Sequence, residues 1–225
     1  MQLSRNLKTA LIAFLLFDLL VAFWLVYLLA LRGEVDEINE LREMGATRYP
    51  EPYEITEFEL IDQRGNPFSE QDLLGHWTLV FFGFTSCPDI CPLTMTELAQ
   101  FSRRFAEQDA IEPPRVLFVS VDPERDDVAA VADYMSRFDE SFTGLTGEDA
   151  DIREAASQFF VTYSADSEDA MHGSHQANAS SPDDYGVSHN AHVSLVNPQG
   201  QLHSVIRPPV RSEVMLQLYP RLIAD

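Results

Sequence analysis

The stretch His76–Met95, HWTLVFFGFTSCPDICPLTM, decides how this chain is read. Its first nine residues, His76–Phe84, are an apolar run rich in β-branched and aromatic side chains, the pattern of a strand buried on both faces. The segment that follows holds both cysteines of the chain, Cys87 and Cys91, each followed by a proline. Pro92–Gln108 then carries Leu93, Leu98, Phe101 and Phe105 at helical spacing. Pro92 suits a first helical position, where its missing N–H costs nothing. The cysteines are therefore expected between the C-terminal end of a buried strand and the start of a helix. There the helix dipole and its unpaired N–H groups favour thiolate over thiol.

The neighbouring segments extend this pattern. Glu54–Phe68 alternates like a strand and turns at Arg64-Gly65-Asn66-Pro67. Arg115–Asp122 reads as a second buried strand, and Asp126–Phe138 and Glu148–Phe160 read as helices. Ala191–Pro208 reads as two strands around an Asn197-Pro198-Gln199-Gly200 turn, and Arg211–Ile223 as a last helix. Strands alternating with helices, then a late hairpin, predict one α/β domain with a mixed sheet, covering 53–225. Ser164–Asp184 stands apart as a polar loop longer than the ~12–15 residues usual for a connection. Its Met171, His172 and His175 are read as part of a solvated acidic loop, with metal collection as the lesser alternative.

Upstream lies Thr9–Leu31, TALIAFLLFDLLVAFWLVYLLAL, with Asp18 as its single charge. About 20 apolar residues span a bilayer. Trp24 and Tyr27 sit toward the end of the run, where aromatic side chains favour the interface. The run exceeds the ~7–15-residue core of a signal peptide, and no small-x-small cleavage site follows it. One uncleaved transmembrane helix is expected at 9–31, with Asp18 a tolerated acid. Arg5 and Lys8 precede the run, while Glu34, Asp36, Glu37 and Glu40 follow it. The positive-inside bias then makes 1–8 a cytoplasmic tail of a single-pass protein of the cytoplasmic (inner) membrane, with the domain on the extracytoplasmic, periplasmic side. Residues 32–52, acidic and then broken by RYPEPY, read as a spacer.

The formal charge is −21 and Lys8 is the only lysine. No basic face is available for phosphates, so nucleic acid is excluded as a partner class. Three chemistries remain for the cysteines. A disulfide across so short a loop stabilises little on the loop-entropy account. A thioredoxin-type redox pair is usually C-x-x-C, one residue shorter than this spacing. A metal clamp would use two soft thiolates, which select soft ions and Cu(I) above all.

A clamp calls for a third ligand, and imidazole suits copper. His76, before the buried strand, and His203, within the hairpin, read as structural. His189 and His192 lie at the entry to the penultimate strand, which can approach the cysteine loop in such a fold. Spaced by three in an extended segment, they face opposite ways. Asp122 and Asp126 end the second buried strand, on the edge where ligands gather in open α/β sheets. The competing reading makes Asp126 a helix cap with Asp127 in the first turn.

LVFFGFTSCPDICPLTM, SVDPERDD (Ser120–Asp127) and YGVSHNAHVSLVNPQG (Tyr185–Gly200), in that order, resemble the three motifs of the Sco/SenC family of membrane-anchored copper chaperones. The resemblance runs from about Tyr53 to the C-terminus. It implies a thioredoxin-like fold, copper as the bound ion, and delivery to the Cu-A site of cytochrome c oxidase subunit II. A copper donor and a thiol reductant would be further partners. By register from the Pro-x-Gly turn it makes His189 the third ligand beside Cys87 and Cys91. Asp122, Asp126 and His192 are left as accessory candidates. Ser188 stands where the family has an acid before that histidine, and Asn190 follows it. The alternative function is an extracytoplasmic thiol–disulfide oxidoreductase, with Cys87 and Cys91 as its redox pair acting on cysteines of subunit II or another exported protein. A histidine requirement separates the two, because a reductase has no use for His189. A peroxidase is a weaker option, since the sequence places no arginine beside the cysteines.

Overall fold

A computed structural model describes residues 5–108, 112–165, 187–189 and 191–224 of the chain. The chain divides into two compact units, Met1–Glu43 and Met44–Asp225. The first is one helix, α1 (Arg5–Glu43), which contains the apolar stretch and continues through the acidic residues after it. Its described side chains from Ile12 to Leu28 are exposed. Among the described residues no helix is long and apolar enough to cross a membrane.

The second unit is built on β4 (Thr78–Gly83), every residue of which is buried. It pairs in parallel with β5 (Arg115–Ser120), and β5 with β6 (Thr143–Thr146). On its other side β4 pairs antiparallel with β9 (Val193–Val196), which forms a hairpin with β10 (Gln201–Ile206). β1 (Ala46–Glu54) closes this edge against β10. β2 (Glu59–Asp62) lies antiparallel to β6, and β3 (Pro67–Ser69) closes the other edge. The order is β1-β10-β9-β4-β5-β6-β2-β3, a mixed sheet with the two cysteine-site strands at its centre.

The helices are α2 (Ile90–Ala106), α3 (Val128–Met135), α4 (Asp149–Gln158) and α5 (Ser212–Leu222). α2 and α5 pack together through Phe101, Phe105 and Tyr219, whose rings meet edge to face at 5.7 and 5.1 Å. Glu97 on α2 accepts a 2.7 Å hydrogen bond from the Ser212 amide and so satisfies a donor at the start of α5. A separate two-stranded ribbon joins β7 (Tyr163–Ala165) to β8 (Val187–His189). The loop with Met171, His172 and His175 lies outside the described residues.

Two elements differ from the sequence expectation. Residues 46–52, read as spacer, belong to β1. This strand pairs at Ala46–Arg48, loses register, and pairs again at Tyr53–Glu54. Pro50 and Pro52 fall in the unpaired middle of an edge strand, where a missing N–H is tolerated. β6 carries no clear sequence signal, being four residues with a glycine inside. That glycine is required, because a Cβ on Gly144 would lie 2.5 Å from Val131 Cγ1 and 2.6 Å from Met135 Cγ. Its bareness lets α3 lie directly on the sheet.

Candidate metal centre

β4 ends at Gly83, whose carbonyl accepts from the Val121 amide at 2.8 Å and ties the ends of β4 and β5 together. The chain then turns, with the Cys87 amide donating to Phe84 O at 3.2 Å, and enters α2 at Ile90. Helix formation begins two residues earlier than the sequence reading, so Cys91 sits inside the first helical turn. Cys91 is fully buried, Cys87 is partly exposed, and both are free thiols. The Cys91 sulfur occupies space left by Gly83, where a Cβ would come within 2.9 Å of it.

The two sulfurs are coupled. The Cys91 thiol donates to Cys87, and this bond, more than any other interaction, lowers the Cys87 pKa to about 6. Burial opposes that shift, while the amides of Asp89, Cys91 and Ile90 add to it. These are the unpaired N–H groups expected at a helix start. Cys91 is pushed up, by its bond to Cys87, by burial, and by the negative charges of Cys87 and Asp126. The shared bond thus favours the thiolate at Cys87 and the thiol at Cys91.

Asp126 lies beneath this turn and is fully buried. It is not the helix cap. Asp127 caps α3 by accepting from the Ala130 amide at 2.8 Å. The Asp126 carboxylate instead accepts from the Thr85 amide at 2.8 Å, from the Thr85 hydroxyl at 2.5 Å and from the Ser120 hydroxyl at 2.5 Å. Its carbonyl accepts from Thr146 Oγ1 at 2.7 Å. One residue thus joins the start of the cysteine loop and the end of β5 through its carboxylate, and the end of β6 through its carbonyl. Asp122 is also buried and pairs with Arg125 Nε at 2.5 Å. Tyr134 reaches the same interior. Its buried hydroxyl has no hydrogen-bond partner among the described residues, and burial and the cysteine charges raise its pKa.

The histidines divide. His76 stands 3.8 Å from Glu112, and His203 packs edge-on against Trp77 at 5.1 Å. His192 donates from Nε2 to the Phe159 carbonyl at 3.1 Å, and burial lowers its pKa against the opposing effect of that bond. It joins the entry of β9 to the end of α4. His189 is the last residue of β8, with its backbone opposite Tyr163. Its side chain lies outside the described atoms. Among the described residues no three His, Cys, Asp or Glu side chains form a metal-holding group. Gly83, Thr85, Ser120 and Tyr134 were missed by sequence reasoning. Only their adjacency to the ends of two predicted buried strands could have flagged them.

Residues 46–224 match the SCO1/SenC family model. The chain belongs to the SCO1/SenC family. It is 35% identical over 172 residues to the human mitochondrial protein SCO2 homolog, a match covering 76% of this chain and 60% of that protein. The chain thus matches less than two thirds of that relative's length. Among solved structures it resembles Arabidopsis thaliana ScoI with copper bound, at TM-score 0.64 and 29% identity, covering 75% of this chain and 96% of that one. Yeast Sco1 with copper bound superposes at TM-score 0.63 and 29% identity, covering 75% and 87%. These neighbours share the thioredoxin-like fold that the family resemblance implied, with the mixed sheet expected from the alternation of strands and helices.

Two consequences are open to measurement. Because thiolate is the nucleophile, alkylation of the reduced protein by iodoacetamide should rise with pH around a midpoint near 6, against about 8.5 for a free cysteine. Cys87→Ser should abolish this reactivity, and Cys91→Ala should move its midpoint upward by removing the stabilising hydrogen bond. Asp126→Ala should destabilise the fold by about 3 kcal/mol, since each buried partner left without its bond costs about 1–3 kcal/mol. The denaturant midpoint reads this loss.

Proposed function

We propose that this protein carries copper on Cys87, Cys91 and His189 and delivers it to the Cu-A site of cytochrome c oxidase subunit II. The observation that carries the reading is the pair of free thiols on one loop-to-helix turn, Cys91 buried in the first turn of α2 and Cys87 partly exposed beside it. Soft sulfur donors select Cu(I). Family membership and the copper-bound relatives support copper over other soft ions. Closing both sulfurs on one ion requires the Cys91 proton to leave, so affinity falls as pH is lowered. The polar lattice around Asp126 holds the loop in place before the ion arrives, and Asp122 and Asp126 act through the loop's position. Release to subunit II, loading from a copper donor and reduction by a thiol partner complete the cycle.

The same reading anchors the chain in the inner membrane by Thr9–Leu31, with the domain outside the cytoplasm. α1 supports it, because exposed apolar side chains on every face of a helix are a surface that lipid covers. The full-length protein should stay with membranes through an alkaline carbonate wash, and its appearance in the supernatant would remove the anchor.

The deciding experiment is Cu(I) titration of the reduced full-length protein in detergent, against a competing chelator. One tight ion per chain is expected, lost in Cys87→Ser and Cys91→Ser and weakened in His189→Ala. Copper binding indifferent to His189, with fast disulfide exchange at Cys87, would assign the pair to thiol–disulfide chemistry instead.

A further inference from the structure

His189 lies on a ribbon of two three-residue strands, β7 and β8. β7 and β8 share three residue pairs, Tyr163 with His189, Ser164 with Ser188 and Ala165 with Val187, and form a sheet separate from the main one. Two short strands alone are marginal in water. Ser188 and Asn190 flank His189, and neither is charged, so no adjacent residue can orient it by an ion pair.

Tyr163 is where the ribbon meets α4. Its ring lies beneath the Arg153 guanidinium, with Arg153 Cζ 4.8 Å from the ring centroid. Its hydroxyl donates to Asp149 Oδ1 at 3.2 Å. Arg153 Nε donates to the other oxygen, Asp149 Oδ2, at 2.7 Å, one helical turn along α4. The three side chains close a ring of contacts in which each holds the other two. Tyr163 is fixed in place by it, and Tyr163 is the residue whose backbone faces His189.

We propose that Asp149, Arg153 and Tyr163 form a clamp that positions His189 for the metal, acting through the Tyr163–His189 backbone pair. This rests on the reading of His189 as the third ligand. The cluster is a poor source of global stability, since Arg153 and Asp149 are 55% and 52% exposed and exposed ion pairs contribute little. Its effect is therefore local. On the far side of His189, the His192–Phe159 bond secures the chain where it enters β9. The histidine backbone is held between two ties to α4, and the clamp is the one on the ribbon.

The test is a double-mutant cycle on the full-length reduced protein in detergent, with Cu(I) affinity read by chelator competition for wild type, Tyr163→Leu, His189→Ala and the double variant. Contacts that orient a ligand are typically worth 10–100-fold in metal affinity. Tyr163→Leu is expected to weaken copper binding about tenfold, with no further loss when added to His189→Ala. Tyr163→Phe, which keeps the ring beneath Arg153, should restore most of the affinity. Independently of copper, hydrogen exchange at the amides of 187–189 should quicken in Tyr163→Leu while the denaturation midpoint barely moves. Unchanged affinity in Tyr163→Leu beside a clear loss in His189→Ala would overturn the clamp and leave the ligand reading standing. Losses that simply add in the double variant would overturn it too. Unchanged affinity in His189→Ala would overturn the ligand reading, and the clamp with it.

Discussion

The site depends on one buried carboxylate. Asp126 has no exposure to water, and its side chain accepts three hydrogen bonds from two residues that precede it in sequence by 41 and 6 positions. A buried charge is tolerated only when it is fully bonded. The requirement acts in both directions: Asp126 needs Thr85 and Ser120, and they are fixed wherever Asp126 is. Thr85 is two residues before Cys87, so the constraint that keeps a charge inside the protein also sets where the cysteine loop leaves the sheet.

The cysteines use that geometry differently. Cys91, in the first turn of α2, fills space that only a glycine at 83 leaves open. Cys87, further out, receives the Cys91 proton as a hydrogen bond together with the amides of the helix start. The same polar groups would steady a metal thiolate or an attacking one. Copper carriage and thiol exchange therefore share this part of the structure and differ only in their need for His189. That residue belongs to the thinly held ribbon rather than to the sheet.

Much of the architecture was legible in the sequence. β4 and β5 announce themselves as apolar runs, α2 through α5 by their 3.6-residue spacing, and the β9–β10 hairpin by Asn197-Pro198-Gln199-Gly200. β1 was hidden by Pro50 and Pro52, which read as breakers because sequence cannot tell an edge position from a central one. β6 was hidden because four residues carry no period, and its strand character comes from β5 and β2 on either side. Asp126 was placed at the right end of β5 with two tasks left open, accessory to the cysteine site or helix cap. A carboxylate before a helix looks like a cap, and the turn from Asp122 to Asp127 gives that task to Asp127 and sends Asp126 inward.

By itself the sequence determined the class of chemistry: two thiols between a buried strand and a helix, a strongly acidic composition, and three ordered motifs of one family. These are properties of residue type and spacing, which a linear chain displays directly. Only the tertiary structure decided that Cys91 is the buried and Cys87 the partly exposed member of the pair, that Asp126 is a hub, and that Tyr163 faces His189. Each of these depends on groups far apart in sequence meeting at hydrogen-bond distance. Burial and partnership set the charge of a sulfur or a carboxylate, and neither exists until the chain has folded.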